Sequence, residues 1–414
     1  MFRGLFLSVF FISLFSYSQT SPFLDSLLKN SLPTYSNVLS QPNKYKLQVV
    51  YTQINRDANN KPSFKEYKFH LNKNYFYPAS TVKLPVSLVA LIKLQELKEK
   101  GVDLESCMIT DSAFFCQRKV YVDTTSESDL PTIGNYIRKM LLVSDNQACA
   151  RTYEFVGCDY LHNKLEEIGY ENIRVLNRLD GACPGDTGKI TPPIYFLSAN
   201  KDTLHKQILA FSSYNKKHPI EDSKVGQQHV GYDGKRNPGP KDFSKHNYLV
   251  LHELHDMMRR IIFNEHLEGK DKLPLTKENH EFMLKYLGMM PKESVYPKYD
   301  KKIYYDSFKK YFMWGSAVAT IKGDSVRVFN IVGRAYGFLI DCAYIVDFKN
   351  KVEFLLSSSI YVNERDVIGS GKYEYDQIGL PFLRDLSKTI YNCELNRPKK
   401  HQPNLKEFNL FGWK

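Results

Sequence analysis

The chain has 414 residues, a formal net charge of +12, and 43% hydrophobic and 14% aromatic residues. That much apolar material excludes an intrinsically disordered chain, and the length suits one large domain or two of medium size. The basic residues are spread along the chain without an arginine-rich stripe, which argues for a solvated surface and against nucleic acid as a partner. The seven cysteines, Cys107, Cys116, Cys149, Cys158, Cys183, Cys342 and Cys393, fit neither a zinc ribbon nor a C-x-x-C redox pair. No repeat of solenoid or propeller period occurs.

In chain order, Met1-Phe2-Arg3 followed by the apolar run Leu5 to Phe15 reads as a secretory signal peptide over residues 1–18, with cleavage near Ser18-Gln19. The protein is therefore expected to be exported, periplasmic or secreted, and to be a monomer. Export would permit disulfides. Cys107 with Cys116 is one candidate pair, buried free thiols are the alternative, and the odd count leaves at least one thiol unpaired. Phe23, Leu24, Leu27 and Leu28 mark a short amphipathic helix. Lys46 to Arg56 reads as a strand, Asp57 to Pro62 as a turn, and Phe64 to Leu71 as the returning strand. A helix opens at Ser80 and runs to about Lys98, with Pro78 before it and Gly101 after it. Helices are expected again at Ile133 to Met140, Gln147 to Phe155, Leu249 to Phe263 and Lys277 to Leu287. Leu176 to Pro193 is a Gly/Pro-rich loop. Three β-rich runs, Val326 to Val332, Phe338 to Phe348 and Val352 to Val362, precede a last helix, Tyr375 to Tyr391.

This order implies an α+β fold in which the chain ends build one lobe. An antiparallel five-stranded sheet flanked by helices is assigned to residues 19–75 and 310–395. A mainly helical lobe, 76–309, is inserted into it and carries an excursion at about 200–247. Residues 396–414 form a C-terminal tail. A cleft between such lobes is a common place for a substrate.

The chemistry sits in two boxes. In Ser80-Thr81-Val82-Lys83 the amine lies one helical turn from the hydroxyl. A desolvated lysine there can take the proton of a serine that is otherwise a poor nucleophile. Ser144-Asp145-Asn146 follows some sixty residues later. A second S-x-x-K, Ser26-Leu27-Leu28-Lys29, has no companion box and reads as chance. His252-Glu253-Leu254-His255 lacks a zincin context and reads as a surface helix face. The aromatics Tyr304, Tyr305, Phe308, Tyr311, Phe312 and Trp314 read as packing between lobes or as lining of a cleft.

With these boxes and Pro184-Gly185-Asp186-Thr187, the chain resembles the class A serine β-lactamases and their penicillin-binding-protein relatives, whose S-x-x-K and S-D-N signatures are well known. The resemblance implies a β-lactamase-like fold and an acyl-serine intermediate without metal or organic cofactor. It also implies a small-molecule β-lactam or peptidoglycan-like peptide as substrate. By the same resemblance Ser80 is the nucleophile and Lys83 accepts its proton. Ser144 protonates the departing nitrogen, Asn146 holds the substrate amide, and Asp145 braces the loop. The oxyanion would lie between the N–H of Ser80 and one near Gly333 and Arg334.

Two parts depart from the family. Its Lys-Thr-Gly falls at Ile331-Val332-Gly333, which keeps only the glycine. Arg334 is the nearest candidate for the missing cation, ahead of Lys322 and Arg327. Its general-base glutamate falls at Leu176, leaving Asp180 or Glu171 as possible deacylation bases. Two rivals follow: a penicillin-binding D,D-peptidase, and a catalytically impaired wall- or protein-binding module that kept the fold. Tyr170-Glu171-Asn172 could imitate the Tyr-x-Asn box of other serine hydrolases.

Overall fold

A computed structural model describes residues 20–71, 75–220, 222–231, 233–317, 321 and 325–410. The expected signal segment 1–18 and Lys322 lie outside these residues.

Helix α1 (Pro22–Ser31) starts on a proline, whose fixed φ suits a first turn, and buries Leu24 and Leu28. A short α2 (Ser36–Ser40) leads into strands β1 (Gln48–Arg56) and β2 (Pro62–Phe69). Their hairpin is shaped by Asp57, whose carboxylate accepts the N–H groups of Asn59 and Lys61. A 3-10 turn, Ala79–Val82, feeds α3 (Lys83–Glu96). Most of α3 is apolar on every side, and it is buried on every side, as such a helix must be.

The middle of the chain carries β3 (Cys107–Thr110), α4 (Ile133–Val143), α5 (Asn146–Val156) and α6 (Cys158–Glu167), then β4 (Ile194–Leu197) and β5 (Thr203–Gln207). Strands β3, β4 and β5 form a small sheet, so this lobe is less purely helical than its sequence pattern suggests. The excursion at 200–247 is also more ordered than its polar composition implies. It holds β6 (Lys224–Val225), β7 (Gln228–Val230), β8 (Arg236–Pro238) and β9 (Lys241–Asp242). Helices α7 (Leu251–Ile262) and α8 (Lys277–Gly288) follow, then a single irregular turn, α9 (Tyr311–Trp314).

The last third supplies β10 (Val326–Ala335), β11 (Phe338–Asp347), β12 (Val352–Tyr361), the short β13 (Val367–Ile368) and α10 (Leu380–Asn396). A π-turn over Tyr375–Gly379 precedes α10, which therefore starts and ends about five residues later than expected.

The main sheet has the order β10-β11-β12-β1-β2 and is antiparallel throughout. This is the expected five-stranded sheet built from both ends of the chain. Successive side chains alternate between its two faces. On β11, Ile340, Cys342, Tyr344 and Val346 join the core shared with α3, α7 and α8. Leu339, Ala343 and Ile345 join a second core under α1 and α10. Because helices cover both faces, β11 and β12 are buried along their whole length. The segment after α10 is no free tail: Phe408 is buried and packs its ring against Phe263, Phe329 and Tyr344.

Candidate active site

Ser80 lies in the 3-10 turn, and Lys83 is the first residue of α3, so both side chains leave the same end of that helix. On the facing side, α4 ends at Ser144 and α5 begins at Asn146. Ser144 adopts left-handed backbone angles, φ 61 and ψ 38, which a non-glycine residue adopts only at some strain. That single residue reverses the chain between two helices and turns both its carbonyl and its hydroxyl toward Lys83. Asp145 caps α5 through a 2.8 Å bond from the N–H of Ala148. Its carboxylate is thus spent on the loop.

Lys83 is fully buried, and its Nζ has four oxygen neighbours. The carbonyl of Ser144 and Oδ1 of Asn146 lie at 2.7 Å, and the hydroxyls of Ser80 and Ser144 at 2.9 Å. The first two oxygens only accept. A neutral amine has two N–H groups for them and keeps its lone pair for a hydroxyl. Burial favours that neutral form and lowers the Lys83 pKa to about 8, with Cys149 and Asp145 partly opposing the shift.

The strand side closes on this group through Gly333. A Cβ at that position would lie 2.5 Å from the carbonyl of Pro78 and 3.2 Å from Thr81. The lack of a side chain is what lets β10 abut the Ser80 turn. Ile331 is buried in the core. The Arg334 side chain is not brought to the site. The two-residue period sends it to the opposite face, where its guanidinium stands 4.4 Å over the Tyr375 ring. Arg327 is buried and paired with Glu293 at 2.8 Å.

The loop after α6 is held by several ties. Asn247 accepts the N–H groups of Leu176 and Asn177, both at 2.8 Å. Arg178 is ion-paired with buried Glu154 and donates to the carbonyls of Gly188 and Ile190. Cys116 and Cys183 form a disulfide. The suggested Cys107–Cys116 bridge is thereby corrected: Cys107 sits in β3 as a free thiol. Leu176 is buried in the core. One oxygen of Asp180 accepts the N–H of Ala182 at 3.2 Å, and the other is buried with no hydrogen-bond partner among the described residues. Burial, opposed by Lys83 and reinforced by the Asp180 carboxylate, pushes the Cys149 thiol up to about 11. Glu171 is exposed on the turn after α6, where Arg174 uses only its carbonyl. The neighbouring Tyr170 and Asn172 hydrogen-bond to Asp256 and Glu253 of α7, which ties the Tyr-x-Asn look-alike to that helix.

Sequence reasoning passed over Lys309. Its backbone is left-handed (φ 60), and its buried amine lies 3.3–3.4 Å from the carbonyls of Leu141 and Met140 in the last turn of α4. Burial, together with repulsion from Lys83 and Lys310, lowers its pKa well below the usual lysine range. No motif marks this lysine; its backbone conformation and its place in space distinguish it. The H-x-x-H pair also differs from expectation. His252 meets Glu66 at 3.3 Å, but His255 is buried between Thr52 and Ser357, and desolvation lowers its pKa to about 4. Among the described residues no group of three or more His, Cys, Asp or Glu side chains is placed to hold a metal.

The profile of the β-lactamase enzyme family matches residues 34–393. The chain belongs to that family. No curated protein gives a significant sequence match. Among solved structures it is similar to a β-lactamase from Sphaerobacter thermophilus, at 10% identity and TM-score 0.48, covering 90% of this chain and 98% of that one. It is also similar to PBP-A, at 14% identity and TM-score 0.47, with coverage of 90% and 96%. For the class A β-lactamase from Mycobacterium abscessus the values are 13%, 0.45, 90% and 97%. As a member of this family the chain is read as a β-lactamase- or penicillin-binding-protein-like serine hydrolase.

Proposed function

We propose that this protein is an exported serine hydrolase that opens a β-lactam or related amide through an acyl-Ser80 intermediate. The observation that carries the reading is the set of four oxygens around the Lys83 amine, which joins the Ser80 and Ser144 hydroxyls through one buried base. In the proposed reaction neutral Lys83 takes the Ser80 proton as Oγ bonds to the substrate carbonyl. The negative charge on that oxygen is met by the N–H of Ser80 and one at Gly333–Arg334. The proton passes through Ser144 to the departing nitrogen as the C–N bond breaks, leaving an ester on Ser80. Water then cleaves the ester, returning the acid and the free hydroxyl.

Hydrolysis of the ester needs a base that activates water. With the apolar Leu176 on the loop, Asp180 is the one loop carboxylate with an unsatisfied buried oxygen, and we assign it as the candidate base for water. The buried Leu176 favours a second reading, a penicillin-binding D,D-peptidase whose acyl-enzyme is long-lived toward water. The disulfide fits an oxidising compartment and supports export.

Intact-mass measurement after mixing with a fluorescent penicillin, alongside Ser80→Ala, tests this. Turnover or a lasting adduct in the wild type, with neither in Ser80→Ala, is expected. An adduct of equal size in both proteins would remove Ser80 from the role.

A further inference from the structure

The buried amine of Lys309, beside the site, has no part in the proposed reaction as written. Lys309 stands on a left-handed backbone (φ 60) just ahead of α9. Its Nζ lies 3.4 Å from the carbonyl of Met140 and 3.3 Å from that of Leu141. The Leu141 carbonyl is one of the last four of α4, which have no N–H partner within their own helix. The Met140 carbonyl also accepts the N–H of Ser144, at 3.1 Å. One oxygen therefore receives both Lys309 and the residue whose left-handed turn aims a hydroxyl at Lys83. The other end of Lys309 is tied to the sheet. Its own carbonyl accepts a 2.9 Å hydrogen bond from Nδ2 of Asn330, which lies three residues before Gly333 on β10.

Asn330 is fixed in turn. It is buried, its amide also donates to Asp341 on β11 at 2.9 Å, and its oxygen accepts the Lys310 amine at 2.7 Å. Lys309 thus links a rigid point of β10 to the end of α4. The link costs stability, because an amine taken out of water regains only part of its hydration from two carbonyls. An apolar side chain of the same length would fill the space without that penalty. What the amine adds is a hold on one turn. A non-glycine residue keeps left-handed angles only where its surroundings over-determine them. At Ser144 one of those restraints is the Met140 carbonyl that Lys309 shares.

We propose that Lys309 is a positioning residue: by clamping the last turn of α4 to β10, it holds the Ser144 hydroxyl where it hands a proton to the departing nitrogen. This rests on the acyl-Ser80 reading. The proton is the one that Ser80 gives up to Lys83, and it reaches nitrogen as the C–N bond breaks. Lys309 acts through Ser144, so its effect falls on that step and not on attack by Ser80.

The test compares acylation of Ser80 by two compounds. The ring nitrogen of benzylpenicillin leaves only with a proton, whereas the phenolate of 4-nitrophenyl phenylacetate departs without one. Lys309→Met keeps the length of the side chain and removes its donors. Once its melting curve shows it to be folded, it is expected to slow acylation by benzylpenicillin about 10–10²-fold, the size of loss that a small misplacement of a reacting group produces. The loss with the ester should be smaller by about tenfold or more. In a Ser144→Ala background the same change should alter the penicillin rate by less than about threefold, since the two residues act as one unit. Equal losses on both compounds, or full additivity with Ser144→Ala, overturn the inference, because general damage to the fold would produce them. If Lys309→Met does not fold, Lys309→Gln, with a donor on a shorter stem, takes its place, and the same pattern at smaller size is expected. Labelling by the ester alone removes a departing nitrogen from the reaction and overturns the inference, and where only the penicillin labels, additivity with Ser144→Ala decides. Failure of both compounds to label Ser80 sinks the acyl-serine reading, and this inference with it.

Discussion

The two walls of the candidate site are built on different principles. On the helical wall, α3, α4 and α5 bring Ser80, Lys83, Ser144 and Asn146 to one point, with every polar contact to the amine at 2.7–2.9 Å. On the strand-and-loop wall the side chains expected to be polar are apolar and buried, as at Ile331 and Leu176. There the site depends on backbone, on the missing side chain of Gly333, and on ties such as Asn247 and the Cys116–Cys183 bridge. In the proposed reaction, the helical wall holds the parts for attack on a carbonyl, and the other wall sets how closely a substrate lies and how water reaches it.

The sharpest way to break this contrast is to remove the base. Lys83→Met is expected to lower Ser80 acylation by about 10²–10⁴-fold. In the wild type the rate should climb as pH rises through about 8 and then level off, because only the neutral amine accepts a proton. The Met variant should lack that rise. Stability follows the same titration. The folded pKa lies below the unfolded value of about 10.4, so the native state binds fewer protons in between. The Met variant should therefore melt higher than wild type at pH 7, and the gap should narrow from about pH 8 to 10.

Gly333→Ala probes the strand wall. A Cβ 2.5 Å from the Pro78 carbonyl forces β10 away from the Ser80 turn. Overpacking of this kind costs about 1–3 kcal/mol, and acylation is expected to drop about tenfold as the oxyanion site opens, at about tenfold per 1.4 kcal/mol. Denaturant melts and stopped-flow labelling read the two effects. Unchanged labelling would mean that the backbone contact has no part in the chemistry.

Replacing both Cys116 and Cys183 by serine is expected to cost about 2–4 kcal/mol in a thermal melt. The four-oxygen group around Lys83 does not touch the bridge, so labelling of Ser80 should persist in the folded variant. Loss of labelling would show that the loop supports both walls. The smallest effect is expected for Glu171→Ala. That side chain is exposed, so stability should stay within about 0.5 kcal/mol and release of the acyl group should not change. A slowed release would return Glu171 to the site.

Much of this was legible in the chain itself. S-x-x-K at the start of a helix places two side chains on one face whatever surrounds them, because the spacing is a property of the helix. The β-rich runs at both ends were enough for the five-stranded sheet, and the resemblance implied that Asp145 braces the loop, where it caps α5. The excursion was not legible. Its pairing of β7 with β13 and its packing on Tyr77 and Tyr336 are long-range contacts, with no local period to announce them.

Local sequence thus determined which residues could act as nucleophile, base and proton carrier, and the class of sheet and helices that bears them. Only tertiary structure decided that Arg334 faces away from the site, that Cys116 pairs with Cys183, and that Lys309 comes in behind Ser144. The reason is physical. Periodicity and capping act over a few residues, whereas the face a strand residue shows, the partner a thiol meets and the depth at which an amine is buried are set by segments far apart along the polymer.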